Sequence, residues 1–389
     1  MKIAQVCPYF FPVQGGVEKH VYAVSSELAR RGHEVHVFTT STSRDSARFE
    51  HEQRLAGFAV HRYDPIWSLG EFGSFWPEFS VDILKGGYDV VHSNVFRHPH
   101  TDISAIIAKA SGSGCVLTSH SPFHPAGVRL PLARGLVRFY DSLVAPFTLK
   151  MYDMVISLTP AESLLLQSLG AAPDKIVVIP NGVDSLYFDS LENTGSPKKF
   201  GFDQKRVLLY LGRINRTKGL DILIRAFQQV AFRFPDVQLA IAGPTTSPQE
   251  AEFLRELQSL VMNLGLEERV VFMGHISEED KVGLLSSCLV LVLPSVYEPF
   301  GIVILEAGAL GRPVVATRTD GPASIVREGV TGLLVQPGDA LGLRDSLSRI
   351  LTERGFVESM SASAKENAGS YRWEHIVDRI EDVYRKVAS

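Results

Sequence analysis

Short apolar runs rich in β-branched residues alternate with longer amphipathic stretches along the whole chain. Turn residues bound these runs, as expected for strands buried in a parallel sheet. The strands predicted in the first half are Ile3–Cys7, Val35–Thr39, Ala59–Tyr63, Val90–Ser93, Val116–Ser119, Val155–Leu158 and Ile176–Ile179. Those predicted in the second half are Val207–Leu211, Leu239–Ala242, Val270–Met273, Val290–Leu293, Val314–Ala316 and Leu333–Val335. Strands that alternate with helices predict an α/β fold with two Rossmann-like domains, each built on a parallel sheet.

The boundary between the two domains is predicted in a polar segment that lacks hydrophobic periodicity. Residues 185–204 read as a linker, because Asn193–Lys199 combines Gly, Pro, Ser and Lys without an apolar face. The chain then divides into an N-terminal domain of residues 1–184 and a C-terminal domain of residues 205–372. An amphipathic helix, about residues 373–389, ends the chain.

Composition and charge exclude several classes of protein. The 389 residues are 45% hydrophobic, too apolar for a disordered chain, and the net charge of −4 argues against a nucleic-acid partner. The three cysteines are far apart and lie in or beside apolar strands, which favours core residues in a reducing compartment. The N-terminus lacks the pattern of a signal peptide, and no apolar run approaches the roughly 20 residues of a membrane span. We therefore expect a cytoplasmic protein that at most lies peripherally on the inner face of the membrane.

The most informative segment is Pro294–Ala307, in which two glutamates flank a Pro-Phe-Gly turn. Glu298 precedes the turn, and Glu306 lies inside the helix predicted to follow. The first backbone N–H groups of a helix have no internal partners and carry partial positive charge, so they favour a phosphate. A carboxylate on each side of an anion site suits a ligand with a diphosphate in the middle and hydroxyls at both ends, such as a nucleotide sugar.

Two cations, Arg213 and Lys218, lie on the turn that follows the strand Val207–Leu211. Arginine can bind phosphate oxygens in a bidentate way, and lysine acts as a flexible point charge. Taken alone, the pair fits two solvated loop cations better than a phosphate site. His120 ends another predicted strand, where ligand sites form in open parallel sheets.

The segments Gly212–Gly219, Pro294–Ala307 and Gly321-Pro322 resemble the C-terminal half of the family 4 glycosyltransferases, which are retaining and have the GT-B fold. The N-terminal half agrees, because three further segments resemble that family: Tyr9–Pro12, Gly15–Glu18 and Pro180–Asp184. The resemblance covers essentially the whole chain. It implies two domains that face each other across a cleft, with the donor on the second domain and the acceptor on the first. It also implies that the last helix crosses back onto the first domain.

The resemblance implies a retaining hexosyltransferase that moves a sugar from a GDP- or UDP-linked donor to a hydroxyl acceptor. The catalytic residues that it implies are His120, Arg213, Lys218 and Glu298. The donor-binding residues that it implies are Gly15, Gly16, Arg213, Lys218, His275, Ile276, Glu298, Phe300, Gly301, Ile302 and Glu306. Arg213 and Lys218 would bind the diphosphate, Glu306 the ribose hydroxyls, and Glu298 and His120 the transferred sugar.

The chain contains no Asp-x-Asp sequence, so a metal–diphosphate bridge is not indicated. Cations and a helix dipole can replace such a bridge, and we expect metal-independent transfer with no cofactor besides the nucleotide sugar. For the family, a front-face substitution with retention is the favoured mechanism. A nucleotide-sugar epimerase of the same fold and a non-catalytic binding subunit are the alternatives.

The acceptor, the donor base, the sugar and the oligomeric state stay open. The segment 129–139 mixes cations with apolar residues, which fits either an interfacial helix on an anionic lipid surface or a helix packed on its own sheet. A lipid-linked or glycan acceptor is therefore a hypothesis. Of the other histidines, His92 and His124 lie near strand ends, whereas His98 and His100 are predicted at the surface. Arg216 is interpreted as a surface charge.

Overall fold

A computed structural model describes residues 1–13, 15–43, 47–68, 74–120, 131–189, 200–202 and 205–388. The chain divides into two compact units. The first contains Met1–Asn181 and Trp373–Ser389, and the second contains Gly182–Arg372. Part of the range predicted as linker is helical and belongs to the second unit, while Asn193–Lys199 lies outside the described residues.

The first unit is built on one large sheet. Its strands are β1 (Lys2–Val6), β2 (Glu34–Thr40), β3 (Glu52–Leu55), β4 (Phe58–Tyr63), β7 (Val90–Asn94), β8 (Gly114–Thr118), β9 (Met154–Ser157) and β10 (Ile176–Val178), with a separate hairpin of β5 (Trp67–Ser68) and β6 (Ser74–Phe75). Its helices are α1 (Gly16–Arg30), α2 (Phe79–Gly86), α3 (Pro99–Ser111), α4 (Pro131–Leu143), α5 (Ala145–Met151), α6 (Pro160–Ser168) and α15 (Trp373–Val387).

The order of strands in this sheet is β10-β9-β8-β7-β1-β2-β4-β3. All neighbours are parallel except β3 and β4. The chain therefore leaves β1 toward β2 and later returns to β7 on the other side of β1. Such a change of direction opens a crevice at the carboxyl ends of the two strands, which is where ligands bind in sheets of this kind.

Helix α15 contributes to the core of the first unit. Its buried side chains Ile376, Ile380 and Tyr384 belong to the same apolar cluster as Ile3 of β1 and Val21 of α1. The residues recur at helical spacing, so one stripe of the helix faces the core. The C-terminal segment is thus part of the first unit, although it follows the second unit in sequence.

The second unit is built on a six-stranded sheet. Its strands are β11 (Arg206–Leu211), β12 (Val237–Ala242), β13 (Val270–Gly274), β14 (Val290–Leu293), β15 (Val314–Thr317) and β16 (Gly332–Val335). Its helices are α7 (Leu186–Asp189), α8 (Leu220–Arg233), α9 (Pro248–Asn263), α10 (Glu278–Ser287), α11 (Ile302–Ala309), α12 (Asp320–Ile325), α13 (Ala340–Thr352) and α14 (Arg354–Gly369).

The second sheet is parallel throughout, in the order β13-β12-β11-β14-β15-β16. The change of direction lies between β11 and β14, so the carboxyl ends of these two strands form the expected ligand position.

The predicted α/β architecture is confirmed. Each predicted strand is present, and its ends differ from the prediction by no more than two residues. The antiparallel strand β3 and the β5–β6 hairpin were not predicted, because β3 is mostly polar and the two hairpin strands are only two residues long. Each helix of the described residues is too short or too polar to span a bilayer.

Candidate active site

Two loops meet at the carboxyl edge of the second sheet, where the strand order changes direction. The loop after β11 and the loop after β14 are joined by a hydrogen bond from the Val296 N–H to the Thr217 carbonyl oxygen, at 2.8 Å. Gly219 has a left-handed φ of 63°, and a Cβ at this position would lie 2.2 Å from the Pro294 carbonyl oxygen. The close approach of the two loops therefore requires glycine at position 219.

An ion pair crosses the junction of these loops. The Lys218 ammonium lies 2.7 Å from Oε2 of Glu298, and both side chains are largely buried. The hydroxyl of Ser295, which is itself buried, lies 3.4 Å from the same oxygen. The fold thus brings together two of the residues implied by the resemblance, although they are distant in sequence. Opposite charges thus meet in a place that water reaches poorly, where each requires the other as a partner.

Glu306 is buried in α11, with only 2% of the residue exposed. The carboxylate is nevertheless paired, because the Lys281 ammonium of α10 lies 2.7 Å from Oε2 of Glu306. Tyr187 of α7 lies beside them and donates a hydrogen bond to Glu278 at 2.9 Å. Burial and the charges of Glu306 and Glu278 raise the pKa of the Tyr187 hydroxyl, so the phenol stays protonated.

The turn before α11 positions the start of that helix beside the ion pair. Gly301 is the N-cap residue and has φ 86°, which is a left-handed conformation that favours glycine. Phe300 is buried, and Ile302 begins the helix. The Gly321 N–H donates to the Glu298 carbonyl oxygen at 3.1 Å, which ties the turn to α12. The helix start therefore has a fixed backbone and N–H groups without intrahelical partners.

Arg213 and His275 also lie at this edge of the sheet, on loops that follow β11 and β13. Both side chains are exposed, whereas Ile276 is half-buried. The Tyr210 hydroxyl donates to the Arg213 carbonyl oxygen at 2.8 Å and so fixes the backbone of the first loop. By contrast, Arg216 pairs with Glu256 and covers the Phe253 ring, so it is held by α9.

His120 lies two residues after β8, at the carboxyl edge of the first sheet. Its Nε2 atom lies 3.1 Å from Oδ1 of Asn94, and its ring meets that of His20 edge-on at 4.7 Å. Burial, with smaller effects from His20 and His92, lowers the pKa of His120 well below its usual value, so the ring is neutral.

The backbone around His120 is strained. Val95, Arg97 and His120 have φ values of 76°, 67° and 52°, in a region that residues with a Cβ rarely adopt. Each such residue costs on the order of 1–3 kcal/mol, and strain of this kind clusters at functional sites. Arg97 is held by a bidentate pair with Asp141 of α4.

Other sequence interpretations in the first unit have mixed outcomes. Gly15 is the N-cap of α1 and Gly16 its first residue, but the backbone of Gly15 is extended, which any residue can adopt. His98 and His100 were predicted at the surface and are buried, because Pro99 begins helix α3 rather than lying in a loop. His92 is buried inside β7. His124 and residues 129–130 lie outside the described residues.

Sequence reasoning missed Lys281, Tyr187 and the residues that contact His120. A local signal existed for Lys281, because a cation in the first turns of a helix opposes the helix dipole. The sequence also marked Gln5 as unusual, because this polar residue interrupts an otherwise apolar strand. In the structure Gln5 is 1% exposed. Within the described part of the chain, no three His, Cys, Asp or Glu side chains lie close enough together to hold a metal ion.

Two family models match the chain, one on each half. Residues 14–185 match the model described as Glycosyltransferase Family 4, and residues 193–368 match Glycosyl transferases group 1. The chain belongs to the family 4-like glycosyltransferases with the GT-B fold. It is a transferase of sugars.

Curated relatives of this glycosyltransferase align over nearly its whole length. It is 29% identical to the phosphatidyl-myo-inositol mannosyltransferase of Mycobacterium leprae, over 100% of this chain and 98% of that protein. It is also 29% identical to the D-inositol 3-phosphate glycosyltransferase of Acidothermus cellulolyticus, over 95% of this chain and 85% of that protein.

Solved structures of lower identity share the fold. A sucrose-phosphate synthase from Thermosynechococcus elongatus superposes with a TM-score of 0.79 at 24% identity, covering 99% of both chains. Anabaena HepE in complex with UDP gives a TM-score of 0.78 at 22% identity, over 99% of this chain and 100% of that one.

Proposed function

We propose that this glycosyltransferase moves a hexosyl residue from a GDP- or UDP-linked donor to a hydroxyl acceptor with retention of configuration. The observation that carries the donor part is the Lys218–Glu298 ion pair beside the start of α11, at the change of direction of the second sheet. A cation, a carboxylate and free helix N–H groups at one position suit a ligand that is anionic in its centre and rich in hydroxyls.

In this proposal Lys218 and Arg213 bind the diphosphate and stabilise the charge that develops on the leaving nucleotide. Lys218 pairs with Glu298, so its ammonium is largely desolvated and held at the loop junction. Phe300, Gly301 and Ile302 contribute backbone to the same anion position, and His275 and Ile276 border the base. Electrostatic groups that are fixed before the reaction need no reorganisation when charge moves.

The two glutamates have separate roles. Glu298 faces the hydroxyls of the transferred sugar, and Glu306 accepts hydrogen bonds from the ribose diol. Lys281 holds one oxygen of Glu306 and so fixes the orientation of the carboxylate. In the first unit, Gly15 and Gly16 supply backbone N–H groups near the donor, and His120 contacts its sugar.

The comparisons support a nucleotide-sugar donor without choosing its base. HepE was solved with UDP and with UDP-glucose, whereas the mycobacterial relative is named a mannosyltransferase. Calorimetric titration of the protein with UDP and with GDP decides between them. We expect micromolar binding of one nucleotide.

Glu306→Gln tests the donor site with little change of shape. Loss of a charged hydrogen-bond acceptor costs about 1.5–3 kcal/mol, so the nucleotide should bind at least tenfold more weakly. Glu278→Gln is the matched control, because Glu278 contacts the same Tyr187 and Lys281 from an exposed position. Absence of nucleotide binding by the folded wild-type protein, or equal losses in both variants, would remove the basis for this site.

The proposal includes catalysis without a metal ion or another cofactor, by front-face substitution. Transfer is measured after trace metals have been removed, with and without added magnesium, and the anomeric configuration of the product is read by NMR. If magnesium alone restores the rate, the proposal of metal-independent catalysis is wrong. An inverted product contradicts retention.

We further propose that the acceptor reaches the first unit from an anionic lipid surface. Helices α4 and α5 carry large exposed apolar side chains at Leu136, Phe139, Leu143 and Phe147, each 54–72% exposed. Arg138 and Lys150 are exposed beside them, and the one acid of α4, Asp141, is neutralised by Arg97. An apolar stripe bordered by cations suits the headgroup region of an anionic membrane. The protein would then act at the cytoplasmic face.

Co-sedimentation with vesicles containing phosphatidylglycerol tests whether the exposed face of α4 and α5 binds an anionic membrane. Full burial of a phenylalanine contributes about 1.5–3 kcal/mol, so Phe139→Ser or Phe147→Ser should weaken binding about tenfold. Phe232→Ser is the control, since Phe232 is 94% exposed but lies on α8 of the second unit. No binding of the wild type at low salt would leave a water-soluble acceptor, such as the inositol phosphate in the name of a relative.

A further inference from the structure

A row of buried polar side chains crosses the interior of the first unit from the C-terminal helix to His120. Its members come from β1, β7, β8 and α15, and all but His120 are fully buried: Gln5, His92, Asn94, Thr118 and Tyr384. The contacts run without a break. His120 Nε2 lies 3.1 Å from Asn94 Oδ1, Asn94 Nδ2 lies 3.0 Å from Gln5 Oε1, and Gln5 Nε2 lies 2.8 Å from the Tyr384 hydroxyl.

The direction of these hydrogen bonds follows from one backbone atom. Asn94 Nδ2 also lies 3.4 Å from the carbonyl oxygen of Val6, which can only accept, so this end of the Asn94 amide is the NH₂ group. The other end is therefore the oxygen, and His120 must donate to it through Nε2–H. Since Asn94 donates to Gln5, the Gln5 NH₂ group must in turn find an acceptor, which is the Tyr384 hydroxyl.

The far end of the row is consistent with this direction. The Tyr384 hydroxyl accepts from Gln5, and its single proton is donated to His92 Nδ1, at 2.5 Å. His92 Nε2 then carries the proton and donates to the Thr118 hydroxyl at 2.7 Å. Each contact of the row thus joins a donor to an acceptor, as buried polar groups require.

We propose that Tyr384, Gln5 and Asn94 are positioning residues that hold the neutral His120 with its proton on Nε2, which leaves Nδ1 as an acceptor for a substrate hydroxyl. The tautomer follows from the contacts described, whereas the hydroxyl as its partner rests on the proposed function. The C-terminal helix thereby acts on the site through a side chain that does not itself touch substrate. Apolar residues would pack in the same places at lower desolvation cost, so the polar row calls for a role beyond packing.

Nitrogen-15 NMR of the full chain labelled at histidine tests the tautomer directly. The two ring nitrogens of a neutral imidazole give well-separated signals according to which one carries the proton, and His120→Gln identifies the signals of His120. We expect the wild type to show a protonated Nε2 and an unprotonated Nδ1 at His120. The opposite tautomer, or an equal mixture, would overturn the proposal.

Tyr384→Phe tests the contribution of the C-terminal helix. Without the hydroxyl, the Gln5 NH₂ group loses its acceptor and the Gln5 amide can reverse. Asn94 is then held only by its 3.4 Å contact with the Val6 carbonyl oxygen, and we expect His120 to become a mixture of tautomers. Because small misplacements of a positioned group are costly, transfer should slow about tenfold. Gln5→Leu should have the same effect on the His120 signals and serves as a second variant if Tyr384→Phe does not fold.

Tyr152→Phe is the matched control. Tyr152 is also fully buried in the first unit and donates to a single carbonyl oxygen, that of Thr101, at 2.8 Å, but it lies outside the row. We expect wild-type His120 signals and a wild-type rate for this variant. Equal changes in Tyr384→Phe and Tyr152→Phe would mean that the row is only structural. Because the NMR result needs no donor, it separates failure of this proposal from failure of nucleotide binding.

Discussion

The carboxyl edges of the two sheets use different chemistry at equivalent places in the fold. At the second sheet, charged groups pair with each other, Lys218 with Glu298 and Lys281 with Glu306. At the first sheet, His120 is neutral and contacts the uncharged amide of Asn94. Burying charge is expensive unless a partner is present. The difference fits the proposed function, in which the second edge binds a charged diphosphate and the first contacts a sugar through directional hydrogen bonds.

The two edges also differ in how they achieve tight turns. Around the second sheet, residues with positive φ are glycines, among them Gly212, Gly219 and Gly243. In the described residues, the side-chain-bearing residues with positive φ all lie in the first unit, and they include Val95, Arg97 and His120. Glycine lets the backbone approach a ligand closely. A residue with a Cβ in the same strained conformation instead fixes the position of its side chain. The edge of the second sheet is thus organised around backbone and charge, and the edge of the first around side chains.

The largest expected effect concerns the charged edge. Lys218→Ala should lower kcat/KM by about 10²–10³-fold, or about 3–4 kcal/mol of transition-state stabilisation, because it removes a fixed cation from the developing negative charge. Initial rates with the nucleotide sugar that matches the nucleotide found by titration measure this.

Arg216→Ala is the control for that variant, since Arg216 is two residues away but bound to Glu256 and Phe253. It should keep its rate within about twofold, as expected for a solvent-exposed ion pair. Similar losses in both variants would show that the loop needs positive charge in general and not the Lys218 position.

The next effect concerns the glycine turns of the second unit. A Cβ on Gly243 would lie within 1.9 Å of the Gly212 carbonyl oxygen, at a φ of 149°. Gly243→Ala should therefore lower the free energy of unfolding of the second unit by about 3 kcal/mol, from strain plus the forced shift. Urea unfolding followed by far-UV circular dichroism measures the loss.

Gly274→Ala sharpens this prediction, because Gly274 has φ 66° but open space around a Cβ. Only the left-handed conformation then opposes alanine, which costs about 1–2 kcal/mol. Tryptophan fluorescence should change little in either variant, since Trp67, Trp76 and Trp373, the three tryptophans of the chain, lie in the first unit. Equal effects of the two variants would contradict the close contact at Gly243.

The last prediction concerns the pH dependence of stability, which the buried histidines of the first unit should dominate. Burial lowers the pKa of His92 and His100 to about 3, and of His20 and His98 to about 4. Below about pH 6.5 the unfolded chain binds protons that the folded unit does not. The free energy of unfolding should therefore fall as the pH drops from 6.5 toward 4, by at most about 1.4 kcal/mol per pH unit for each histidine. Above pH 6.5 these groups should have no effect.

Tryptophan fluorescence during urea unfolding at several pH values measures that slope in the first unit. His100→Phe should reduce this slope by the contribution of about one proton taken up on unfolding, whatever the change in absolute stability. His375→Gln is the control, because His375 is exposed in the folded first unit. A slope that is unchanged in His100→Phe would contradict the assignment of His100 as a neutral buried group.

Local patterns predicted much of the fold. The alternation of apolar runs and amphipathic stretches located the strands and the last helix, because buried parallel strands must be apolar on both faces. The same reasoning failed at His98 and His100, where the polarity of the residues suggested the surface. Their burial depends on helix α3 packing against the sheet, and His100 stacks on Trp76 from a distant part of the chain.

The sequence by itself determined the two α/β units, the strand ends at which ligands bind, and the charged and glycine residues of the loops that follow them. These features depend on periodicity and turn chemistry, which neighbouring residues specify. Only the tertiary structure decided which side chains meet: Lys218 with Glu298, Lys281 with Glu306, and Tyr384 with Gln5. Such pairs join strands and helices that are far apart in sequence, and their geometry is set by strand order and packing, which no local pattern encodes.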